Sequence, residues 1–199
     1  MAIRLSGETR ALREGVENIL AYYPYAARDF DGEISARRAG GEGAPSLKVH
    51  RSGAKIQVDY RRRCDFFRAL GCILAREENA CERAAYEKSG VMLDVSRDAA
   101  YTLAQLKEFL VWIALCGFNA CYLYMEDTYR LERYPYFGYL RGAYSLQELK
   151  ELDDFADSLD IELIPCIQTL SHLGTTLKWD YALPMRDTAA TLMVGCDET

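Results

Sequence analysis

The sequence contains little histidine and no paired metal-binding motif. It has two histidines, His50 and His172, in 199 residues, and none of its seven cysteines forms a C-x-x-C pair. Structural zinc sites need four Cys or His ligands at close spacing, so the sequence predicts no metal site. Most of the cysteines are expected to be reduced and buried, because several lie among apolar neighbours. These are Cys72, Cys116, Cys121 and Cys166.

The chain also lacks any long hydrophobic run. It has no stretch of about 18 apolar residues, and no apolar segment typical of a signal peptide follows Met1. The formal net charge of −6 at pH 7 argues against a broad nucleic-acid-binding surface, and we interpret the local run Arg61-Arg62-Arg63 as a solvated corner. The sequence therefore predicts a cytoplasmic protein with no membrane and no nucleic-acid partner.

Residues 1–82 have the pattern of a small α+β domain. Apolar residues at helical spacing alternate with short runs of strand-like alternation. The predicted elements are a helix over residues 8–22, strands over 32–37, 47–50 and 55–60, and a helix over 63–77. Ser52-Gly53 predicts a hairpin between the second and third strands. Polar residues 76–79 and 81–86 are predicted to form the linker that leaves this domain.

Residues 83–199 alternate strongly apolar, strand-like runs with amphipathic helices. Strands are predicted from Gly90, over 119–125 and over 161–168, and a fourth apolar run covers 191–195. Capping boxes at Thr102-x-x-Gln105 and Ser145-x-x-Glu148 open helices that end near Gly117 and Leu159. The second strand is apolar throughout, as expected of a strand covered on both faces. This alternation predicts parallel neighbours with right-handed crossovers, and periodicity alone fits a doubly wound sheet or a barrel.

Each of the three predicted parallel strands ends in polar residues. The first ends in Ser96-Arg97, the second in Glu126-Asp127-Thr128, and the third in the segment 168–172, which closes with His172. Because the carboxyl ends of parallel strands share one edge of a sheet, these side chains are expected to lie together. Acid, base and guanidinium groups at such an edge indicate a catalytic face.

Four segments of the chain together resemble a known family. The segments are 90–97, 122–128, 135–142 and 164–172, and they resemble glycoside hydrolase family 20, the β-N-acetylhexosaminidases, above all its intracellular bacterial branch. The resemblance implies an α/β protein in which a small α+β domain precedes a TIM (β/α)₈ barrel. The chain would then hold only the first strand–helix units of that barrel, which is incomplete at Thr199.

The resemblance also implies a reaction. These enzymes remove terminal, non-reducing, β-linked N-acetylhexosamine (GlcNAc or GalNAc) from glycans by a retaining, substrate-assisted mechanism without a cofactor. The acetamido oxygen of the substrate attacks the anomeric carbon to give an oxazolinium intermediate. A glutamic acid protonates the departing oxygen, and a neighbouring aspartate orients the acetamide. The expected partner is therefore a glycan substrate.

The resemblance assigns roles to the polar strand ends. Arg97 matches an arginine that holds hydroxyl groups of the terminal sugar, although a strand-end salt bridge is the alternative. Asp127 and His172 match a pair that forms a relay to the catalytic glutamic acid in many members. His172 could instead be a structural histidine. Glu126, a further candidate for substrate binding, could replace Asp127 in the relay.

Aromatic residues crowd the loop after the second strand, and Trp179 follows the third. Tyr136 and Trp179 are predicted to stack on sugar rings. Packing of a long loop against the barrel rim is the alternative for both.

The pair Asp197-Glu198 resembles the catalytic Asp-Glu pair of the family, but we interpret it as a false match. Glu198 follows His172 by only 26 residues, too few for the helix and strand that the family places between its histidine and its acid. We expect the general acid to be absent from these 199 residues and the chain alone to be inactive. Two other functions stay open: a barrel glycosidase that uses two carboxylates, and a non-catalytic carbohydrate-binding protein.

Overall fold

The computed structural model describes residues 3–7, 9–23, 32–41, 43–97, 100–195 and 197. The described residues of the N-terminal part form a five-stranded mixed sheet with two helices. Its elements are, in chain order, β1 (Arg4–Gly7), α1 (Arg13–Tyr22), β2 (Glu33–Arg38), β3 (Leu47–Ser52), β4 (Lys55–Tyr60), α2 (Arg63–Leu74) and β5 (Asn79–Glu82). The strand order is β1-β2-β4-β3-β5. β2 runs parallel to β1 and β4, whereas β3 runs antiparallel to β4 and β5.

The prediction for this sheet is confirmed for its three inner strands and wrong at its edges. The hairpin between β3 and β4 is present, and Gly53 in its turn has a φ of +59°. Residues 79–82 are not a linker, because they pair with β3 as an edge strand. An edge strand with polar side chains shows no clean alternation of apolar residues, so sequence periodicity misses it.

Both helices are shorter than predicted. α1 begins at Arg13 rather than at residue 8, which lies outside the described residues. α2 ends at Leu74 because Arg76 adopts a left-handed φ of +65°, and the amides of Arg76 and Glu77 donate to the carbonyls of Ile73 and Cys72. This pair of hydrogen bonds is a Schellman motif, which ends the helix even though its closing residue is not glycine.

The C-terminal part contains a three-stranded parallel sheet in the order β6-β7-β8. Its elements are β6 (Gly90–Asp94), α3 (Leu103–Leu115), β7 (Ala120–Glu126), α4 (Leu146–Ser158), β8 (Glu162–Ile167), α5 (Gly174–Leu177), a 3₁₀ helix (Asp180–Met185), β9 (Arg186–Thr188) and β10 (Thr191–Leu192). Both predicted capping boxes are present at the starts of α3 and α4. The mixed α/β class and the parallel strand–helix alternation are therefore confirmed.

β7, the central strand, is buried on one face only. Cys121, Leu123 and Met125 are buried in the core that the helices share, whereas Tyr122 and Tyr124 on the other face are half-buried. The expectation of a strand covered on both faces is wrong for the described structure, because the described helices pack on one face of this sheet. The other face presents Tyr124 and Glu126 next to each other at the strand end.

One continuous core connects the two sheets. It runs from Ile3 to Ile161 and includes residues of α1, α2, α3 and α4. The Asn18 amide donates to the Ser158 hydroxyl at 2.9 Å, and the Asp160 carboxylate accepts from the backbone amide of Cys64 at 2.8 Å. The predicted boundary between residues 82 and 83 stays a prediction.

The fourth apolar run does not join the parallel sheet. Within it, Thr191–Leu192 pair antiparallel with Arg186–Thr188 as a short two-stranded ribbon. This ribbon accompanies a small separate core around Leu177 and Ala182. An apolar run of this length cannot reveal its pairing partner, since that depends on how the preceding chain turns.

Burial of the cysteines follows the prediction only in part. Cys72 and Cys121 are buried, Cys166 is half-buried and Cys116 is exposed, so the expectation of burial is wrong for Cys116. Cys116 is the C-cap residue of α3, and at a helix end apolar sequence neighbours do not guarantee burial. Burial raises the pKa of the Cys72 and Cys121 thiols to about 11, which makes them poor nucleophiles.

Among the described helices, none combines the length and the apolar character that a membrane span requires.

Candidate functional site

The carboxyl ends of β6, β7 and β8 bring together a set of polar side chains, here called the strand-end cluster. It consists of Arg97, Tyr124, Glu126, Asp127, Arg141 and Gln168. The Gln168 amide after β8 donates to the Tyr124 hydroxyl at 2.8 Å, and that hydroxyl lies 3.4 Å from Glu126 Oε1. Three strands thus contribute to one hydrogen-bonded surface, as the sequence predicts from their polar ends.

Arg97 is the most accessible cation of this cluster. Its side chain is 65% exposed and lies 3.6 Å from the carboxylates of Asp94 and Glu126, with its guanidinium carbon 5.2 Å from the Tyr124 ring centroid. Such long, exposed ion pairs stabilise little, so they leave the guanidinium donors available to a ligand. The alternative of a strand-end salt bridge and the predicted binding role are therefore both compatible with this geometry.

A tight turn after β6 orients Arg97. Asp94 Oδ1 accepts from the Ser96 amide at 2.9 Å, the Ser96 hydroxyl at 2.8 Å and the Arg97 amide at 3.2 Å. Partial burial of Asp94 acts against its ionised form, but these hydrogen bonds and the Arg97 charge outweigh it and lower the pKa of Asp94 below its ordinary value. Asp94 is thus held as a carboxylate that organises the turn.

Glu126 sits in a strained position at the end of β7. Its φ of +47° is left-handed, and the pairing with β8 shifts register between Tyr124 and Glu126. Non-glycine residues avoid this region unless their surroundings hold them there. The bulge re-aims the Glu126 side chain, which is 13% exposed, between the guanidinium groups of Arg97 and Arg141.

Asp127 is the buried member of the cluster. It is 1% exposed, and its two carboxylate oxygens have different partners: Arg141 Nε donates to Oδ1 at 3.1 Å, and the Thr175 hydroxyl donates to Oδ2 at 3.0 Å. Thr175 belongs to α5, the helix that follows β8. Asp127 therefore connects the end of the second parallel strand to the segment after the third.

His172 forms no hydrogen bond or ion pair with Asp127 in this arrangement. It is exposed, has a left-handed φ of +62°, and forms no hydrogen bond or ion pair within the described part of the chain. The segment nevertheless lies beside the cluster, since Gln168 and Thr175 flank His172 in sequence and both bind cluster residues. The relay from Asp127 through His172 stays a prediction.

The two predicted stacking residues belong to an exposed aromatic group beside the cluster. The Tyr136 ring stacks on Tyr181 at 5.9 Å, Tyr139 contacts Trp179 edge-on at 6.2 Å, and Tyr136 and Tyr139 contact each other at 5.7 Å. Tyr136, Tyr139 and Trp179 keep large exposed fractions. The rings pack on one another and also present faces to solvent, so the geometry is compatible with both predicted interpretations.

Sequence reasoning missed Tyr124 and Arg141 of the cluster, and Thr175, which binds Asp127. Tyr124 could have been found, because it lies two residues before Glu126 on one strand and period-two alternation places both on the same face. Arg141 and Thr175 offer no such signal, since a loop and a short helix carry them to Asp127.

A separate cleft of about 800 Å³ lies between Tyr101 and Leu140, and its lining includes no predicted site residue. Among the described residues, no three His, Cys, Asp or Glu side chains form a group that could hold a metal ion.

Solved structures with this fold include several hexosaminidases. A variant of the Streptomyces plicatus β-hexosaminidase in complex with the product GlcNAc superposes with a TM-score of 0.75 at 17% identity, over 99% of this chain and 50% of that chain. The glycoside hydrolase family 20 exo-β-N-acetylglucosaminidase from Vibrio harveyi, in complex with N-acetylglucosamine, has a TM-score of 0.67 at 15% identity, over 85% and 33% of the two chains. A further family 20 β-N-acetylglucosaminidase has a TM-score of 0.65 at 21% identity, over 94% and 43%.

These comparisons establish the fold. Over the part that it covers, this chain has the fold of the family 20 β-N-acetylhexosaminidases, which are glycoside hydrolases. It spans between 33% and 50% of the length of those solved chains. No protein-family model matches the sequence, and no curated protein matches it.

Proposed function

We propose that this chain is part of a glycoside hydrolase of family 20, which releases terminal β-linked N-acetylhexosamine from glycans. We also propose that β6, β7 and β8 with their helices are the first units of a (β/α)₈ barrel. One observation supports this function most: on a fold shared with hexosaminidases, the strand-end cluster gathers Arg97, Glu126 and Asp127 at one end of the parallel strands. In barrel enzymes, active sites lie at that end of the strands.

In this proposal the cluster binds and orients the sugar rather than attacking it. The substrate's acetamido oxygen attacks the anomeric carbon as the bond to the glycosidic oxygen breaks, and that oxygen leaves with a proton from the general acid. Water then opens the resulting oxazolinium with retention of configuration and returns a proton to the acid's carboxylate. Arg97 donates hydrogen bonds to hydroxyl groups of the terminal sugar, because its guanidinium is exposed and only loosely paired. Glu126 accepts from a neighbouring sugar hydroxyl, and Tyr136 and Trp179 offer ring faces to the sugars.

Neither carboxylate at the end of β7 is assigned as the general acid. Glu126 and Asp127 are both paired with Arg141 at 3.1 Å, so protonating a leaving group would require breaking an ion pair. Glu198 lies outside the described residues. We keep the expectation that the acid is not Glu198 and that this chain alone does not hydrolyse substrate.

The proposed relay connects Asp127 to the general acid through His172. Asp127 would act on the acid through His172, which requires the exposed imidazole to turn toward Asp127. Both oxygens of Asp127 already accept hydrogen bonds, from Arg141 and from Thr175, so the imidazole of His172 would share or replace one of these donors. Glu126 remains the alternative partner for His172.

Activity assays on the protein as its gene encodes it test the proposal. We expect hydrolysis of 4-nitrophenyl N-acetyl-β-D-glucosaminide and none of 4-nitrophenyl β-D-glucoside, because the mechanism needs the 2-acetamido group. Arg97→Ala should lower kcat/KM about 10-fold to 100-fold, the value of one charged hydrogen bond. Arg37→Ala is the matched control, since Arg37 is equally exposed, at 66%, and pairs with Asp59 on the distant N-terminal sheet.

The alternatives predict other results. Equal turnover of the glucoside would indicate a two-carboxylate glycosidase. Binding of N-acetylglucosamine without cleavage by the complete protein would indicate a non-catalytic carbohydrate-binding protein. Unchanged kinetics in Arg97→Ala would remove Arg97 from the sugar site.

A further inference from the structure

The guanidinium of Arg141 joins residues that lie far apart in sequence. Its Nε donates to Asp127 Oδ1 at 3.1 Å, while Nη2 donates to Glu126 Oε2 at 3.1 Å and to the Ser96 carbonyl at 2.7 Å. Ser96 follows β6, and the two carboxylates end β7. Arg141 thus links the ends of β6 and β7 directly and, through the hydrogen bond from Thr175 to Asp127, the segment that follows β8.

Arginine suits this position better than any other residue. Its planar group carries several donors at fixed angles, so it can serve two carboxylates and a carbonyl at once. Arg141 is only 28% exposed, and Asp127 is almost wholly buried. A buried carboxylate that loses its cation is strongly destabilised, because desolvation is no longer offset by a partner.

The negative charge of Asp127, which Arg141 balances, also changes the pKa of two nearby tyrosines. Burial raises the pKa of Tyr129 and of Tyr181, and the negative charge of Asp127 raises both further. Among the described residues, Arg141 is the cation that forms an ion pair with Asp127.

The conformation of the loop between β7 and α4 places Arg141 next to Asp127. Gly138 has a left-handed φ of +65°, and a Cβ atom at this position would lie 2.2 Å from the Asp127 carbonyl oxygen. The Arg141 amide donates to the Gly138 carbonyl at 3.1 Å, which closes a turn directly over Asp127. The same loop carries Tyr136 and Tyr139 of the aromatic group.

We propose that Arg141 is a positioning residue for the proposed hydrolysis. It holds the strained Glu126 and the buried Asp127 in one orientation and fixes the aromatic loop against the strand ends. Arg141 acts through these residues and does not touch the sugar. This inference rests on the proposed function.

Kinetics of the complete protein test the positioning role. We expect Arg141→Gln to lower kcat/KM about 100-fold, because small displacements of binding groups have effects of that size, and to do so mainly through kcat. Arg141→Lys should recover only part of the loss, since an ammonium group does not bridge three acceptors in the same plane. Arg130→Gln is the matched control, because Arg130 lies in the same loop and donates to the loop's own Ala143 carbonyl at 3.1 Å. Wild-type kcat/KM in Arg141→Gln, or full recovery in Arg141→Lys, would overturn the inference.

A thermal double-mutant cycle tests the contact without relying on activity. Arg141→Gln, Asp127→Asn and the double variant are melted beside the wild type. If Arg141 holds Asp127, the Tm loss of the double variant is clearly smaller than the sum of the single losses, because the second change removes a partner already lost. Additive losses would overturn the inference. A wild-type protein that cleaves no N-acetylhexosaminide refutes the proposed function, while this cycle still decides the role of Arg141.

Discussion

Gly71 in α2 packs directly against the end of α3. A Cβ atom at this position would lie 2.2 Å from the backbone carbonyl oxygen of Leu115, at the end of α3. Ordinary contacts of this kind begin near 3.4 Å, and the obstacle is backbone rather than a flexible side chain. The change Gly71→Ala would therefore force α2 and α3 apart by about 1 Å.

Two opposing effects decide the stability of Gly71→Ala. Helix propensity favours alanine over glycine by about 1 kcal/mol in a helix interior. Overpacking of a close-packed core costs about 1–3 kcal/mol and more where backbone has to move. We expect the second effect to win by about 1–2 kcal/mol, because the obstructing atom is a main-chain oxygen.

Equilibrium unfolding in urea, with melting by circular dichroism, measures this balance. The expected Tm loss is about 2–8 °C for a chain of this size. Gly40→Ala is the control, because nothing lies within 4 Å of the point that its added methyl group would occupy, and its stability should change by less than about 0.5 kcal/mol. A Gly71→Ala protein as stable as the wild type, or more stable, would refute the close approach of α2 and α3.

Two further predictions concern pH. For Asp127→Asn in the complete enzyme we expect a shifted acid limb of the pH–rate profile, and an unchanged profile would count against the relay through His172. Burial raises the pKa of Tyr144 to about 12, above its ordinary value of 10.0. The folded protein then keeps a proton that the unfolded chain loses, so stability is full below pH 10 and falls as pH rises toward 12. Tyr144→Phe should flatten this alkaline decline in urea unfolding, although it also removes the 2.7 Å hydrogen bond to the Tyr101 carbonyl; an equally steep decline would contradict the assignment.

The local elements of the fold were largely predictable. Capping boxes at Thr102 and Ser145 rely on hydrogen bonds between residues three apart, so their sequence signature is also their structure. The edge strand β5 and the ribbon formed by β10 were not predictable, because pairing with a distant strand decides them. Propensity and periodicity depend on residues that are close in sequence, so they do not reveal which distant strands pair with each other.

The candidate site likewise has a part that the sequence predicts and a part that only the tertiary structure decides. Polar residues at the ends of apolar strands, together with parallel order, are sufficient to place Arg97, Glu126 and Gln168 at one edge of a sheet. The sequence alone determined this, because the geometry of a parallel sheet brings equivalent strand ends together. Only the tertiary structure decided that Arg141 and Thr175 bind Asp127 and that His172 stays exposed. Loop conformation decides these contacts. The turn at Gly138, for example, depends on the close approach of Asp127 and not on any regular spacing of residues.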